Sequence, residues 1–454
     1  MLVPREKVGY ALGDTASNLY WKVFEFFVVI FYTDVFGLSP GATGTMLLVT
    51  RVLDAAADPL MGLLADRTAT RWGKFRPYLV WFSLPLAAAG VLAFTAPGPR
   101  FAGGARLAYA YATNALLMLC YTAINIPYSA LLGVITPSSA ERTRLSAIRF
   151  IGAFGGALFV QKATLDLVRR FGGGDAARGW SLTMALYGAA AVTLFAVCFA
   201  LTRERVTPPR GQRGDARADV RALAGDRPFV VSFALAVLII VAFWLRGGGA
   251  AYYFKYVLHR EAALGWFLAG GGMASVAGVA ALGPVTRRVG KKPLYRGLMA
   301  GVGVLLTVQL WLPPERLAPV FVLNVAVSLL LGAVAPLIWA MFADVADHVE
   351  WTAGRRATGL VFAGALFAMK LGGALGGWSL GVVLELAGYR PNVAQSPAAL
   401  RGIGLAFTAI PGAVCLLAAL LAAGYGLDET TVSAVERGLA ERRAAEANAA
   451  RATG

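Results

Sequence analysis

Two histidines and three cysteines are all the imidazoles and thiols that a chain of 454 residues offers. Cys120, Cys198 and Cys415 stand alone inside apolar runs with no paired spacing, which excludes a disulfide framework and leaves them as small apolar packers. His259 and His348 fall near the ends of apolar runs with no nucleophile–base pairing, and no Gly-Lys-Ser/Thr phosphate cradle occurs. An enzyme, a nucleotide-driven pump and a bound cofactor are therefore not expected. Charge is also scarce: 15% of residues are charged against 58% hydrophobic, with a mean hydropathy of +0.64.

What is present is apolar length. A spanning helix needs roughly 20 mostly apolar residues, and the expected spans lie at about 14–37, 41–65, 78–97, 105–136, 146–168, 180–202, 229–257, 262–286, 294–313, 318–342, 357–387 and 402–425. Strand-type alternation is missing, so helices must satisfy the backbone in lipid. The expectation is an all-α membrane protein with twelve transmembrane helices. The first apolar run is too long for a signal peptide and lacks a small-residue cleavage site, so it reads as a retained span.

The larger share of the 42 Lys and Arg falls on the side of the amino terminus, which places both termini in the cytoplasm of a multi-pass inner-membrane protein. The net charge of +17 then serves topology and lipid contact, not nucleic acid.

Residues 203–227 form the longest polar connection and carry seven arginines. They divide the chain into an amino-terminal bundle at 1–202, a cytoplasmic linker, a carboxy-terminal bundle at 228–426 and a cytoplasmic tail at 427–454. The run from Gly62 to Pro77 after the second span is echoed by Gly283 to Pro293 after the eighth, each a basic, Gly-bounded turn. Two pseudo-symmetric six-helix bundles of this kind build carriers whose substrate site lies between the halves near the midplane. The Ala, Glu and Arg rich tail is expected to be a short, frayed surface helix.

The sharpest local feature is Asp54 and Asp58, preceded by Arg51, in a strongly apolar segment. An Asp at the centre of a spanning helix costs about 2.5–3.5 kcal/mol unless partnered. Spaced i, i+4, the two carboxylates share a helix face and suit a proton or a hard monovalent cation, with sodium at Asp54 and Asp58 as one option. The bland alternative is an ion-paired packing network around Arg51. On the first span Asn18, Lys22 and Glu25 form one polar stripe at i, i+4 and i+7, and Lys22 and Glu25 are spaced to pair. They address an anionic substrate group or relay protons, or else neutralise each other. Lys370 sits mid-span beside glycines, Trp339 is a stacking candidate for a sugar ring, and Arg246 a cavity-lining one. At the cytoplasmic ends, Asp66 and Arg67 and the set Asp344, Asp347, Glu350, Arg355 and Arg356 read as gates of charge pairs.

Five runs together resemble the glycoside–pentoside–hexuronide:cation symporter family of the major facilitator superfamily, to which the melibiose carrier belongs. They are Tyr10–Asp14 leading into Phe31–Leu38, Arg51–Gly62, Arg71–Pro77, Tyr121–Tyr128, and Ala343–Asp347 continuing to Gly359. The resemblance implies a cation site at Asp54, Asp58 and Thr122, with Ala57 where the sodium-using melibiose carrier has an Asn, a change that tilts the coupling towards protons. It implies sugar contacts at Asn18, Asn125 and Arg149, the first two being amides where that carrier has acids, and a linking lysine at Lys370. If Lys22 and Arg149 both face the cavity, a uronate becomes a candidate substrate. The function implied is cation-coupled symport of a sugar, glycoside or uronate by alternating access. The protein is expected to act as a monomer among membrane lipids. The alternatives are a carrier of amphipathic lipids and a sugar sensor that does not transport.

Overall fold

The computed structural model describes residues 2–98, 103–205, 223–313, 316–353 and 358–453. Among the described residues there are fifteen α-helices and no strand. They are α1 (Pro4–Ile30), α2 (Pro40–Arg67), α3 (Arg76–Trp81), α4 (Ser83–Ala93), α5 (Gly104–Ile135), α6 (Ser139–Gly172), α7 (Ala176–Leu201) and α8 (Arg227–Tyr252). There follow α9 (Glu261–Val289), α10 (Lys291–Gln309), α11 (Leu317–Ala353), α12 (Thr358–Leu386), α13 (Pro397–Phe407), α14 (Ala409–Leu421) and α15 (Glu429–Thr453). Each expected span coincides with one helix, or with the consecutive pairs α3–α4 and α13–α14. Among the described residues nine helical stretches are long and apolar enough to cross a membrane. The helices α1 and α2 fall outside that set because Asp14, Lys22, Glu25, Arg51, Asp54 and Asp58 dilute them, and α10 because it starts on Lys291, Lys292 and Arg296.

Starts and stops follow local chemistry. Prolines occupy the first turns of α1 and α2, where their missing N–H costs nothing. The Ser39 and Asp175 side chains cap α2 and α7 by accepting from Ala42 N and Arg178 N at 3.2 Å each.

Contacts group Met1–Gly211, Trp244–Gly272 and Ala374–Phe407 into one compact unit and Gln212–Phe243, Met273–Gly373 and Thr408–Gly454 into a second. The boundaries run through α8, α9 and α12, between α13 and α14, and through the polar connection, of which residues 206–222 lie outside the described set. In the first unit α1 packs on α6 and α7, and α2 on α5. The α1–α6 crossing is close because Gly152 and Gly156 face α1, where an added Cβ would stand 2.6 Å from Ala11 O and 2.9 Å from Thr15 O. In the second unit α10 packs on α11 and α14 around Met299, Leu337, Phe342 and Tyr425.

Two internal echoes are visible in the backbone. After α1 and α8 the chain widens into one π-helical turn each, Phe31–Val35 and Tyr253–Val257, closed by matching bonds. Phe36 N donates to Phe31 O and Leu38 N to Tyr32 O, as Leu258 N does to Tyr253 O and Arg260 N to Phe254 O. The basic turns repeat in the same way. Glu204 accepts from Lys74 N, Phe75 N and Arg76 N at 2.7–2.9 Å, and Glu429 accepts from Lys291 N at 2.9 Å. Gly73 and Gly290, at φ +111° and +83°, let the backbone turn against those carboxylates.

The tail differs from expectation. It forms the 25-residue helix α15, and Val432, Val435 and Leu439 are buried along one face of it. Arg442 lies 3.9 Å from the Trp351 ring centre at the end of α11, so an apolar stripe and a cation–π contact dock what composition alone reads as a loose surface helix.

Candidate functional site

The convergence expected at α2 and α5 is present in the geometry. These helices are registered by Asn114, whose Nδ2 donates to Thr50 Oγ1 at 2.7 Å. Two turns further along α5, Thr122 Oγ1 donates to Asp54 Oδ1 at 2.5 Å and lies 3.3 Å from Asp58 Oδ1. Asp54 is buried and Asp58 half-buried. Two carboxylates and a hydroxyl thus meet at one point, and among the described residues no cluster of three or more His, Cys, Asp or Glu suited to a metal occurs.

Arg51 stands beside this point without saturating it. Its Nη1 is 3.8 Å from Asp54 Oδ2, a Coulombic contact longer than a hydrogen bond. Its guanidinium lies 4.7 Å from the Trp21 and Phe24 ring centres and 5.4 Å from that of Trp244. Nε and Nη2 make no hydrogen bond among the described residues. Cation–π contacts on three faces offset part of the cost of burying this charge.

On α1, Lys22 Nζ donates to both oxygens of Glu25, at 3.1 and 2.9 Å. Glu25 also lies within electrostatic reach of Arg51. The sequence spacing foresaw the Lys22–Glu25 pair, and the fold extends it into a ladder from α1 to α2.

The polyol candidates lie one turn nearer the amino terminus. Asn18 Nδ2 donates to Asp14 O at 2.9 Å and Asn125 Nδ2 to Tyr121 O at 3.0 Å, while Ser17 Oγ reaches Asn125 Oδ1 at 3.0 Å. Trp21 stacks on Tyr121 at 5.8 Å between ring centres. Both amides keep an oxygen lone pair and an N–H for ligand hydroxyls. Arg149, from α6, is less free than the sequence suggests, because its Nε donates to Asp14 Oδ2 at 2.8 Å and its guanidinium lies 5.1 Å from the Tyr128 ring centre. Asp14 was visible only as part of a motif, and its position two helical turns before Lys22 was the signal for its role.

Other expectations fall elsewhere. Lys370 is half-buried on α12 in the second unit, and Trp339 stacks there on Phe362 at 5.9 Å. Arg246 lies buried in the first unit, 4.7 Å from the Phe407 ring centre, packed among aromatics. Asp344 pairs with Lys291 at 2.6 Å, Asp347 lies three residues on, half-buried, and Arg67 is exposed. Arg355, Arg356 and the Asp66 side chain lie outside the described residues.

One polar cluster escaped sequence reasoning altogether. At the π turn ending α1, the Asp34 carboxylate accepts from Lys255 Nζ and Tyr256 OH at 2.5 Å each, from Thr33 at 2.8 Å, and from Tyr389 OH. Asn392 Nδ2 donates to Asp34 O at 2.6 Å, and its Oδ1 accepts from Lys255. Asp34 and Tyr256 occupy the same position in the two matching turns. The echo of Phe31–Val35 in Tyr253–Val257 was the available signal.

The matched family model, described as MFS/sugar transport protein, spans residues 9–429. The chain belongs to this sugar transport family. Inner membrane symporter YicJ of Escherichia coli (strain K12) is 36% identical over 94% of this chain and 92% of its own length. An isoprimeverose transporter of Lactiplantibacillus pentosus is 35% identical over 93% and 89%. The crystal structure of a D-xylose-proton symporter superposes with a TM-score of 0.67 at 15% identity, over 93% of this chain and 97% of that one, and shows that the fold is that of the major facilitators. As a member of the MFS/sugar transport family the chain is a multi-pass membrane transporter, not an enzyme, and the resemblance to glycoside–pentoside–hexuronide:cation symporters holds over nearly its whole length.

Proposed function

We propose that this protein takes up a sugar or glycoside by symport with one kind of cation, cycling between states open to either side of the membrane. The carrying observation is the meeting of Asp54, Asp58 and Thr122 on helices that also present Asn18 and Asn125. The acids take the coupling ion; the amides, with Trp21 and Tyr121 alongside, take the sugar. Protons are the favoured ion. Two carboxylates and one hydroxyl converge, with Ala57 between the acids offering no further side-chain oxygen, and a proton needs a single basic carboxylate whereas sodium needs a fuller oxygen shell.

In this reading the twelve spans form two six-helix halves, a monomer works within the lipid bilayer, and both termini face the cytoplasm. Asp66, Arg67, Asp344, Asp347, Arg355 and Arg356 act at the cytoplasmic gate, while Trp339 and Lys370 are further candidates for substrate contact. The Asp34 cluster, at the opposite ends of α1 and α8, is the external closure. Neither a lipid carrier nor a sensor is among the relatives described above.

Purified protein in vesicles, screened with radiolabelled sugars under imposed proton or sodium gradients, tests the reading. Wild type should accumulate a sugar with one gradient, and Asp58→Asn should lose accumulation while keeping sugar exchange. No sugar flux under any gradient would overturn it, and accumulation untouched by the substitution would remove the carboxylate pair from the coupling mechanism.

A further inference from the structure

Resting on the sugar-transport reading, one question remains open to the geometry: whether the ligand is neutral or carries a carboxylate. The family resemblance spans both, pentosides and hexuronides alike, so local residues have to decide.

Three cationic side chains approach the face that carries Asn18 and Asn125, and each is occupied. Lys22 is held by both oxygens of Glu25. Arg149 is held by Asp14 at 2.8 Å. Arg51 is 2% exposed and walled by Trp21, Phe24 and Trp244, so its spare donors do not open towards a ligand beside Asn18. Of the three, Arg149, 25% exposed, and Lys22, 18% exposed, can reach such a ligand; Lys22 lies one helical turn from Asn18 on the same helix, and Glu25 beneath it is 2% exposed.

We infer that Glu25 sets the charge selectivity of the sugar site: by closing Lys22 into an ion pair on the same helix, it reserves the site for neutral glycosides and turns uronates away. A neutral sugar binds through its hydroxyls and leaves every pair intact. A uronate drawn to Lys22 must displace a carboxylate tethered three residues away, which competes at high effective concentration. Success would leave Glu25 buried without its partner, a state that low dielectric makes unfavourable. The selectivity is thus built from a repulsive element as much as from attraction. Glu25 acts here as a positioning residue, through Lys22 and not by touching the sugar.

The experiment starts from the neutral sugar named by the vesicle screen and uses its uronate, oxidised at the primary carbon, as competitor. Wild-type full-length protein should favour the neutral sugar by at least about tenfold. Glu25→Gln should raise the ratio of uronate to neutral affinity by about tenfold, and the double variant Lys22→Met/Glu25→Leu, with both charges removed, should bring the ratio back down. Asp14→Asn, which frees Arg149, should shift it in the same direction as Glu25→Gln. A screen that names a uronate as the transported substrate overturns the inference while leaving sugar transport standing. So does a ratio that Glu25→Gln and Asp14→Asn both leave unmoved. The wild-type competition needs no variant, so a poorly folding Glu25→Gln does not shield the proposal.

Discussion

Asp34 and Asp54 are both buried aspartates on adjoining helices of one compact unit, yet they are treated in opposite ways. Asp34 accepts from one ammonium, two phenols and a threonine. Asp54 accepts from the Thr122 hydroxyl that also faces Asp58, with Arg51 at 3.8 Å. A carboxylate with all its lone pairs filled has nothing left to bind and works as a fastener. One that shares a hydroxyl with a second acid gains most from an incoming cation. The contrast separates a structural acid from a coupling acid without reference to any ligand.

Substitutions sharpen that contrast. Asp34→Asn removes the acceptor shared by Lys255 and the two tyrosines, and should lower stability by about 3–5 kcal/mol, as for other broken buried pairs; thermal unfolding in detergent reads it. Asp54→Asn should cost about 1 kcal/mol or less by the same assay, because the amide keeps an oxygen for the Thr122 hydroxyl and the change relieves repulsion from Asp58, while abolishing gradient-driven accumulation. Equal losses of stability in the two variants would erase the distinction. Thr122→Ala removes the hydroxyl that donates to Asp54 and should cost about 1–3 kcal/mol, together with a shifted pH dependence of uptake. The smallest effect is expected at a third, peripheral carboxylate. Glu141 at the start of α6 pairs with Lys7 at 3.2 Å, and that hydrogen bond holds its pKa below the usual range. A depressed carboxylate stabilises the fold above its unfolded pKa and loses this as pH falls through the folded value. Glu141→Gln should therefore lower the melting temperature slightly at pH 7, with the difference vanishing on acidification below the ordinary glutamate range.

Much of the site was legible because it is local. Lys22 and Glu25 pair at i, i+3, and Asp54 and Asp58 share a face at i, i+4, so helix geometry alone brings them together. Thr122 came from a motif resemblance, and the α2–α5 register places it between the acids. Arg149, expected as a sugar contact, also meets Asp14 at the α1–α6 crossing, where Gly152 and Gly156 let the two backbones approach. The Asp34 cluster was invisible for the opposite reason: its partners lie 221, 222 and 355 residues away in the chain. No periodicity reports on contacts of that separation. The tail also escaped, since the value of its apolar stripe depends on Trp351 being there to receive it.

The sequence by itself determined that this chain crosses a membrane as helices, that it repeats a basic turn in two halves, and that it places acids where lipid makes them costly. Those properties depend on composition and on spacings of three or four residues, which a helix converts directly into shared faces. Tertiary structure decided which charges are spent on each other and which remain to do work. Burial and hydrogen bonding set the energy of a carboxylate, and both depend on side chains brought in from distant helices.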